Sequence, residues 1–195
     1  MQTIRGFLLR NANLCFKFSQ VVILILPMNE KSIFRRLPIP AGAGFPMSAQ
    51  VFLSERPGGK GVIADQFAKM KTTGISKVWC LLTDSEWELA ASYREAVAEG
   101  LLVAEHHRLP LRASCLANDK LRLEESLKLM VAALKSGESV LIHCEAGQVR
   151  TGCAAGALLM MLGLSLEDAL AEVRAAGSDP EPFSPSDLLR AFVVE

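Results

Sequence analysis

After the apolar run Val140 to Ile142 the chain reads His143-Cys144-Glu145-Ala146-Gly147-Gln148-Val149-Arg150-Thr151-Gly152, and then continues as Cys153 to Leu162, apolar all round and rich in Ala and Gly. The first run predicts a buried strand and the last a helix packed on every side. The ten residues between them must therefore form a tight strand-to-helix loop. A loop that closes within the five residues separating Cys144 from Arg150 points successive backbone N–H groups into one concavity, and a helix starting at its end adds positive dipole there. Arg150 can grip two oxygens of a bound phosphoryl group with its planar fork, which a lysine could not do. Cys144 sits at the start of the loop under the same positive potential, which favours its thiolate, the nucleophilic form. A His-Cys pair at a strand end is by itself core far more often than catalytic. The arginine, the spacing and the turn-compatible loop positions change that balance.

These residues resemble the Cys-x5-Arg signature of the protein tyrosine phosphatase superfamily, in the form His-Cys-x-x-Gly-x-x-Arg-Thr-Gly. The resemblance extends less specifically over residues 48–195. Gln50 to Gly58, Val78 to Asp84 and the helix before the signature are similar to the compact dual-specificity branch related to the cyclin-dependent-kinase-associated phosphatase. The resemblance implies a cysteinyl-phosphate intermediate, and neither a metal nor another cofactor. Its substrate would be a phosphorylated protein or a small aryl phosphate. It further implies that Cys144, Arg150 and Thr151 are catalytic and that Glu145, Ala146, Gly147, Gln148, Val149 and Arg150 hold the phosphate. His143 would brace the loop, and the Thr151 hydroxyl would help the thiolate leave in the second step. Gln148 and Glu145 add no positive charge, unlike the lysine-bearing loops of relatives specialised for inositol phosphates.

Composition agrees with one catalytic domain. At 195 residues the chain can bury a real core but has little room for two domains. The 21 basic and 21 acidic residues leave no global charge to attract nucleic acid or an anionic membrane. Five cysteines, an odd number at irregular spacing, argue against a disulfide framework and for a reducing, cytoplasmic setting. A monomer is the expectation. Residues 1–47 are read as an N-terminal extension, with a peripheral strand as the alternative, and residues 48–195 as the phosphatase-like domain. Within the extension Val21 to Leu26 is strongly apolar, but six residues fall short of a signal-peptide core and of a membrane span, and a more ordinary sequence begins at Met28.

Along the domain, strands and helices alternate. Strands are expected at Gln50 to Leu53, Lys77 to Thr83 and Leu101 to Leu109, and helices at Ile63 to Met70, stopping near Gly74, and at Glu86 to Glu99. Leu123, Leu127, Met130, Val131 and Leu134 follow i, i+4, i+7, i+8, i+11, an amphipathic helix ending at Gly137. Ser165 with Asp168, and Ser184 with Pro185 and Asp187, mark two more helix starts. The alternation implies an α/β fold, a mostly parallel central sheet flanked by helices on both faces. Ligands gather beyond the carboxyl ends of such strands. Thr83 to Glu86, Pro110 to Ser114 and Cys144 to Arg150 should therefore surround one pocket, while the glycine-rich Ser54 to Gly61 segment reads as a plain turn.

The general acid is the weak point. Relatives carry an Asp on a loop some thirty residues before the cysteine, and here that loop reads Leu109-Pro110-Leu111-Arg112-Ala113-Ser114, with Ala113 at the acid's place. Asp119 is the nearest carboxylate; at the start of the long helix it reads first as a cap and second as the acid. Asp84 and Glu86 are further candidates. His106 and His107 read as structural. The sequence thus predicts a metal-independent phosphomonoester hydrolase acting on phosphotyrosine in protein, with phosphoserine and phosphothreonine left open. One rival is a phosphatase-like domain that binds phosphorylated partners and turns them over poorly. The other is rhodanese-type sulfur transfer, which His143 and the Arg-Thr-Gly ending disfavour.

Overall fold

The computed structural model describes residues 33–182 and 186–193. Val21 to Leu26, Met28, Ser184 and Pro185 lie outside the described residues. Five strands form one sheet in the order β1-β2-β5-β3-β4: β1 (Arg35–Leu37), β2 (Val51–Ser54), β3 (Ile75–Cys80), β4 (Glu105–Arg108) and β5 (Ser139–His143). All neighbours pair in parallel except β1, which runs antiparallel to β2 at one edge. That edge strand falls inside the stretch expected as an extension. Seven α-helices are described: α1 (Ile63–Thr73), α2 (Asp84–Leu89), α3 (Ala91–Ala98), α4 (Lys120–Lys135), α5 (Val149–Met161), α6 (Leu166–Ala175) and α7 (Asp187–Arg190).

Side-chain alternation divides the core between the two faces. Val140 and Ile142 of β5 pack with Val51 and Leu53 of β2 and Trp79 of β3 against α4 to α7. Leu141, between them, turns to the other face with Phe52 and Val78 and meets Phe67 and Met70 of α1 and Tyr93 and Ala96 of α3. Burial on both faces is why the strands read as continuous apolar runs. Each fully buried leucine or isoleucine contributes about 1.5–3 kcal/mol. On α4 Leu123, Leu127, Met130 and Leu134 of the expected stripe are buried, joined by Ala133, while Val131 is only partly buried.

Two elements differ from expectation. Thr83 accepts from the Glu86 N–H while Glu86 returns a bond to the Thr83 N–H, a capping box that starts α2 two residues earlier than expected. The helical stretch then breaks at Ala90 (φ −86°, ψ 49°) into α2 and α3. The strand expected from Leu101 shrinks to four residues, because β3 offers ladder partners only from Lys77 to Cys80. Ser165 caps α6 as expected, its hydroxyl 3.1 Å from the Asp168 N–H, and α7 follows Ser186, whose hydroxyl accepts from the Leu189 N–H at 3.3 Å. Among the described residues no helix is long and apolar enough to cross a membrane.

Candidate active site

The parallel strands end level with one another, with Ser54 of β2 and Cys80 of β3 both in register with His143 of β5. The loop that leaves β5 therefore emerges at the centre of the sheet's carboxyl edge. Cys144 opens it, buried at 2% exposure. Glu145, Ala146 and Gln148 are exposed, and Val149 begins α5. Gln148 supplies no side-chain cap to that helix, so its first-turn N–H groups are available to an anion. Gly147 could not be another residue. Its φ is +66°, and a Cβ there would lie 2.5 Å from the Ser54 carbonyl oxygen and 2.6 Å from the Glu55 nitrogen. The segment expected to be a plain turn is thus the wall against which the loop is pressed.

Arg150, at the loop's far end, is 6% exposed and engaged end-on by Glu86, with Nη2 donating to Oε1 at 2.7 Å and Nη1 to Oε2. Nη1 also lies 3.4 Å from the carbonyl oxygens of Leu81 and Leu111. Of the five guanidinium donors, these bonds leave Nε–H and the second Nη2–H without a partner among the described residues. That side-on edge of the fork is the one that can take two oxygens of a phosphoryl group. The hydrogen bonds from Arg150 hold the Glu86 carboxyl at about 2, far below the usual carboxylate range. Glu86 therefore orients Arg150 and is not an acid. Asp84 is likewise paired, with Arg108 at 2.9 Å.

At the other end of the loop His143 is fully buried. Its Nε2 lies 2.9 Å from the Tyr93 hydroxyl, and its Nδ1 lies 3.3 Å from the Cys144 carbonyl oxygen. The same hydroxyl lies 3.2 Å from Nε2 of His106, whose ring stacks on Trp87. Burial depresses both imidazoles, His143 to about 3 and His106 to about 4, so both are neutral. Cys80, His106 and His143 place their ligand-type atoms within 4.8 Å of one another, a combination able to hold a metal ion. The Tyr93 hydroxyl, bonded to both imidazoles, already links that cluster. His107, by contrast, stacks on Trp79 with ring centroids 4.4 Å apart, away from this network.

The outer side of the loop is clasped by charged and polar groups that the sequence pattern did not reveal. Arg56 donates to the Glu145 carboxylate through Nε at 2.7 Å and Nη2 at 3.1 Å, and its N–H donates to the Glu145 carbonyl at 3.0 Å. The Gly147 carbonyl accepts from the Ser178 hydroxyl at 2.7 Å and from Arg35 at 2.6 Å. Gln148 donates to the Gly177 carbonyl at 3.1 Å. Thr151 is buried, and its hydroxyl has no hydrogen-bond partner among the described residues. The available sequence signals were few: Thr83-x-x-Glu86 announced the capping box, but nothing local announced Arg35, Arg56, Tyr93 or Ser178.

The segment from Pro110 reaches the site through Leu111, while Ala113 is exposed and offers no acid. Asp119 does not cap α4. The chain enters that helix through a 3-10 turn, Ala117–Asp119, which gives Asp119 helical dihedrals (φ −84°, ψ −3°) and no side-chain cap bond, whereas a capping side chain needs an extended backbone. Its carboxylate instead stands 4.0 Å from Arg122. It lines a cleft of about 400 Å³ with Thr83, Asp84, Pro110, Arg112 and Asn118.

Residues 111–174 match the model of the Tyrosine phosphatase family. Among solved structures, the kinase associated phosphatase, with its catalytic-site cysteine changed to serine, is 19% identical with a TM-score of 0.65, over 82% of this chain and 90% of that chain. Tk-PTP in its active form is 26% identical with a TM-score of 0.52, over 72% of this chain and 87% of that chain. P. aeruginosa TpbA, a cysteine-to-serine form in complex with phosphotyrosine, is 18% identical with a TM-score of 0.51, over 84% of this chain and 88% of that chain. No curated protein is significantly similar to the sequence.

Proposed function

We propose that this chain, a member of the protein tyrosine phosphatase superfamily with the fold of its dual-specificity branch, hydrolyses phosphomonoesters through a cysteinyl-phosphate intermediate, without a metal, and acts on phosphotyrosine in proteins. The observation that carries this reading is the pairing of Cys144 at one end of the loop with an Arg150 fork whose side-on edge is free. The Cys144 thiolate attacks phosphorus, the ester P–O bond breaks, and Arg150 with the loop amides stabilises the equatorial oxygens. Water then attacks the cysteinyl phosphate, releasing inorganic phosphate and the thiolate. The otherwise unpartnered Thr151 hydroxyl donates to the departing sulfur. The loop's shallow charge, with no lysine, suits a phosphomonoester on a protein better than a polyphosphorylated ring. The phosphotyrosine bound to TpbA makes that ligand a reasonable first substrate.

A second reading rests on Ala113: with no carboxylate at that position, the leaving oxygen departs with little proton assistance, and the domain binds phosphorylated partners while turning them over slowly. Its leaving-group pKa then governs the rate, so aryl phosphates, with a phenol near 10, should far outpace alkyl phosphates. Burst and steady-state kinetics on an aryl phosphate, comparing wild type with Cys144→Ser, separate the possibilities. A Cys144-dependent burst with slow turnover is expected. Oxyanion binding without any burst would leave a binding module. Turnover that persists in Cys144→Ser would remove the mechanism.

A further inference from the structure

Arg35 begins β1, opposite Leu53 of β2, well before residues 111–174, which match the family model. Its Nη2 donates to the Gly147 carbonyl at 2.6 Å and to the Ser178 hydroxyl at 3.2 Å, and its Nη1 donates to the Gly177 carbonyl. All its bonds go to neutral acceptors, and among the described residues no carboxylate lies within ion-pair distance. A half-buried guanidinium with no carboxylate in contact is costly to keep unless an anion is expected nearby.

The Gly147 carbonyl is a critical point in the loop. A trans peptide carries its N–H opposite its C=O, so the direction of this carbonyl sets the direction of the Gln148 N–H. Gly147, at φ +66°, has no Cβ to resist rotation of that peptide. A flip would aim a carbonyl oxygen where an anion must sit. Ser178 supplies one neutral donor against this, and Arg35 supplies a charge-assisted one, roughly twice as strong.

We propose that Arg35 is a positioning residue of the active site: it holds the Gly147–Gln148 peptide with its N–H turned to the phosphate, and it adds a second cationic charge behind Cys144. The antiparallel edge strand β1 is then part of the catalytic apparatus. The electrostatics agree: burial lowers the pKa of Arg35, and negative charge at Cys144 and at Glu55 opposes that shift, so Arg35 and Cys144 lie within electrostatic reach. This role rests on residues 144–150 being a phosphate-binding loop.

The test uses the full chain with Arg35→Met and Arg35→Lys, and three readouts: inhibition by orthovanadate, kcat and KM on an aryl phosphate, and the pH dependence of Cys144 alkylation. Arg35→Met should weaken vanadate about tenfold or more, the loss expected for one charge-assisted hydrogen bond, and move the alkylation midpoint to higher pH. Arg35→Lys should keep the alkylation profile near wild type by retaining charge, yet still weaken vanadate, because an ammonium cannot span both carbonyls. A purely structural role would lower the melting temperature without moving the alkylation profile. Wild-type vanadate affinity in Arg35→Lys overturns the proposal even if Arg35→Met does not fold. If wild type itself neither binds vanadate nor shows Cys144-dependent turnover, the phosphate-loop reading falls and this role with it; if it does both while the Arg35 variants match it, only Arg35 is removed.

Discussion

At its start the loop from Cys144 to Arg150 hangs from His143, an uncharged imidazole sealed in the sheet and bonded to Tyr93; at its end it closes on Arg150, a buried cation locked end-on to Glu86. Next to Cys144 the fold uses neutral groups, His143 and His106, that do not change charge near neutral pH. At Arg150 it uses an ion pair, because the fork must be aimed as well as charged. Positive potential at Cys144 therefore comes from the loop amides, the start of α5 and the arginines, and not from an imidazolium.

The charged end should show the largest effect. Arg150→Lys keeps the charge but loses the fork, and kcat on an aryl phosphate should fall by roughly 10²–10³-fold, as for loss of an oxyanion donor; a loss of less than a few-fold would mean that the fork is not what binds the phosphoryl group. Glu86→Gln keeps one hydrogen bond to Arg150 and removes the charge, so vanadate affinity should drop about tenfold. Because the Glu86 carboxyl titrates near 2, its contribution to stability is complete above the usual carboxylate range and lost only as pH falls towards 2. Wild type should therefore show no Glu86-linked step between pH 5 and 8, and an NMR titration of the Glu86 carboxyl that found one there would contradict the pairing.

The neutral end should respond to acid in the opposite sense from a histidine whose pKa is raised by an acidic partner. His143 and His106 stay neutral in the fold down to about 3 and 4, while an unfolded imidazole protonates near 6.5. Below pH 6.5 the unfolded chain takes up protons that the folded one does not, so stability falls on acidification by up to about 1.4 kcal/mol per pH unit for each imidazole. Chemical denaturation across pH 4–7 should show a gentler slope in His106→Gln than in wild type. Equal slopes would mean that His106 is not held neutral. The smallest effect is expected at Asp119. It makes no cap bond, so Asp119→Asn should leave the melting temperature within about 0.5 kcal/mol equivalent of wild type. It should leave turnover unchanged unless the carboxylate in the cleft serves as the missing acid. A loss of roughly 10²-fold together with a flattened pH limb would make Asp119 that acid.

Much of the fold was legible because both sheet faces are covered, α4 shows its amphipathic period and α5 is apolar all round. The site was legible where its residues are contiguous, from His143 to Gly152. The braces were not, since Arg35, Arg56, Tyr93 and Ser178 meet the loop only after the sheet has brought distant strand ends level. An arginine at the start of an unremarkable three-residue strand carries no local mark of its partner 112 positions away. Asp119 failed for another reason: its residue type and position both suited a cap, but the preceding 3-10 turn had already set its backbone to helical angles.

The position of β5 in the middle of the sheet has a consequence for how the site would come apart. Backbone bonds of a central strand exchange with solvent only when the whole domain opens, whereas an edge strand can fray alone. β5 has a partner on each side, and β1, which carries Arg35, has one. Warming should therefore release the loop's outer clasp while its floor is still intact, and catalytic output should decline at temperatures where amide protection of Leu141 and Ile142 is undiminished.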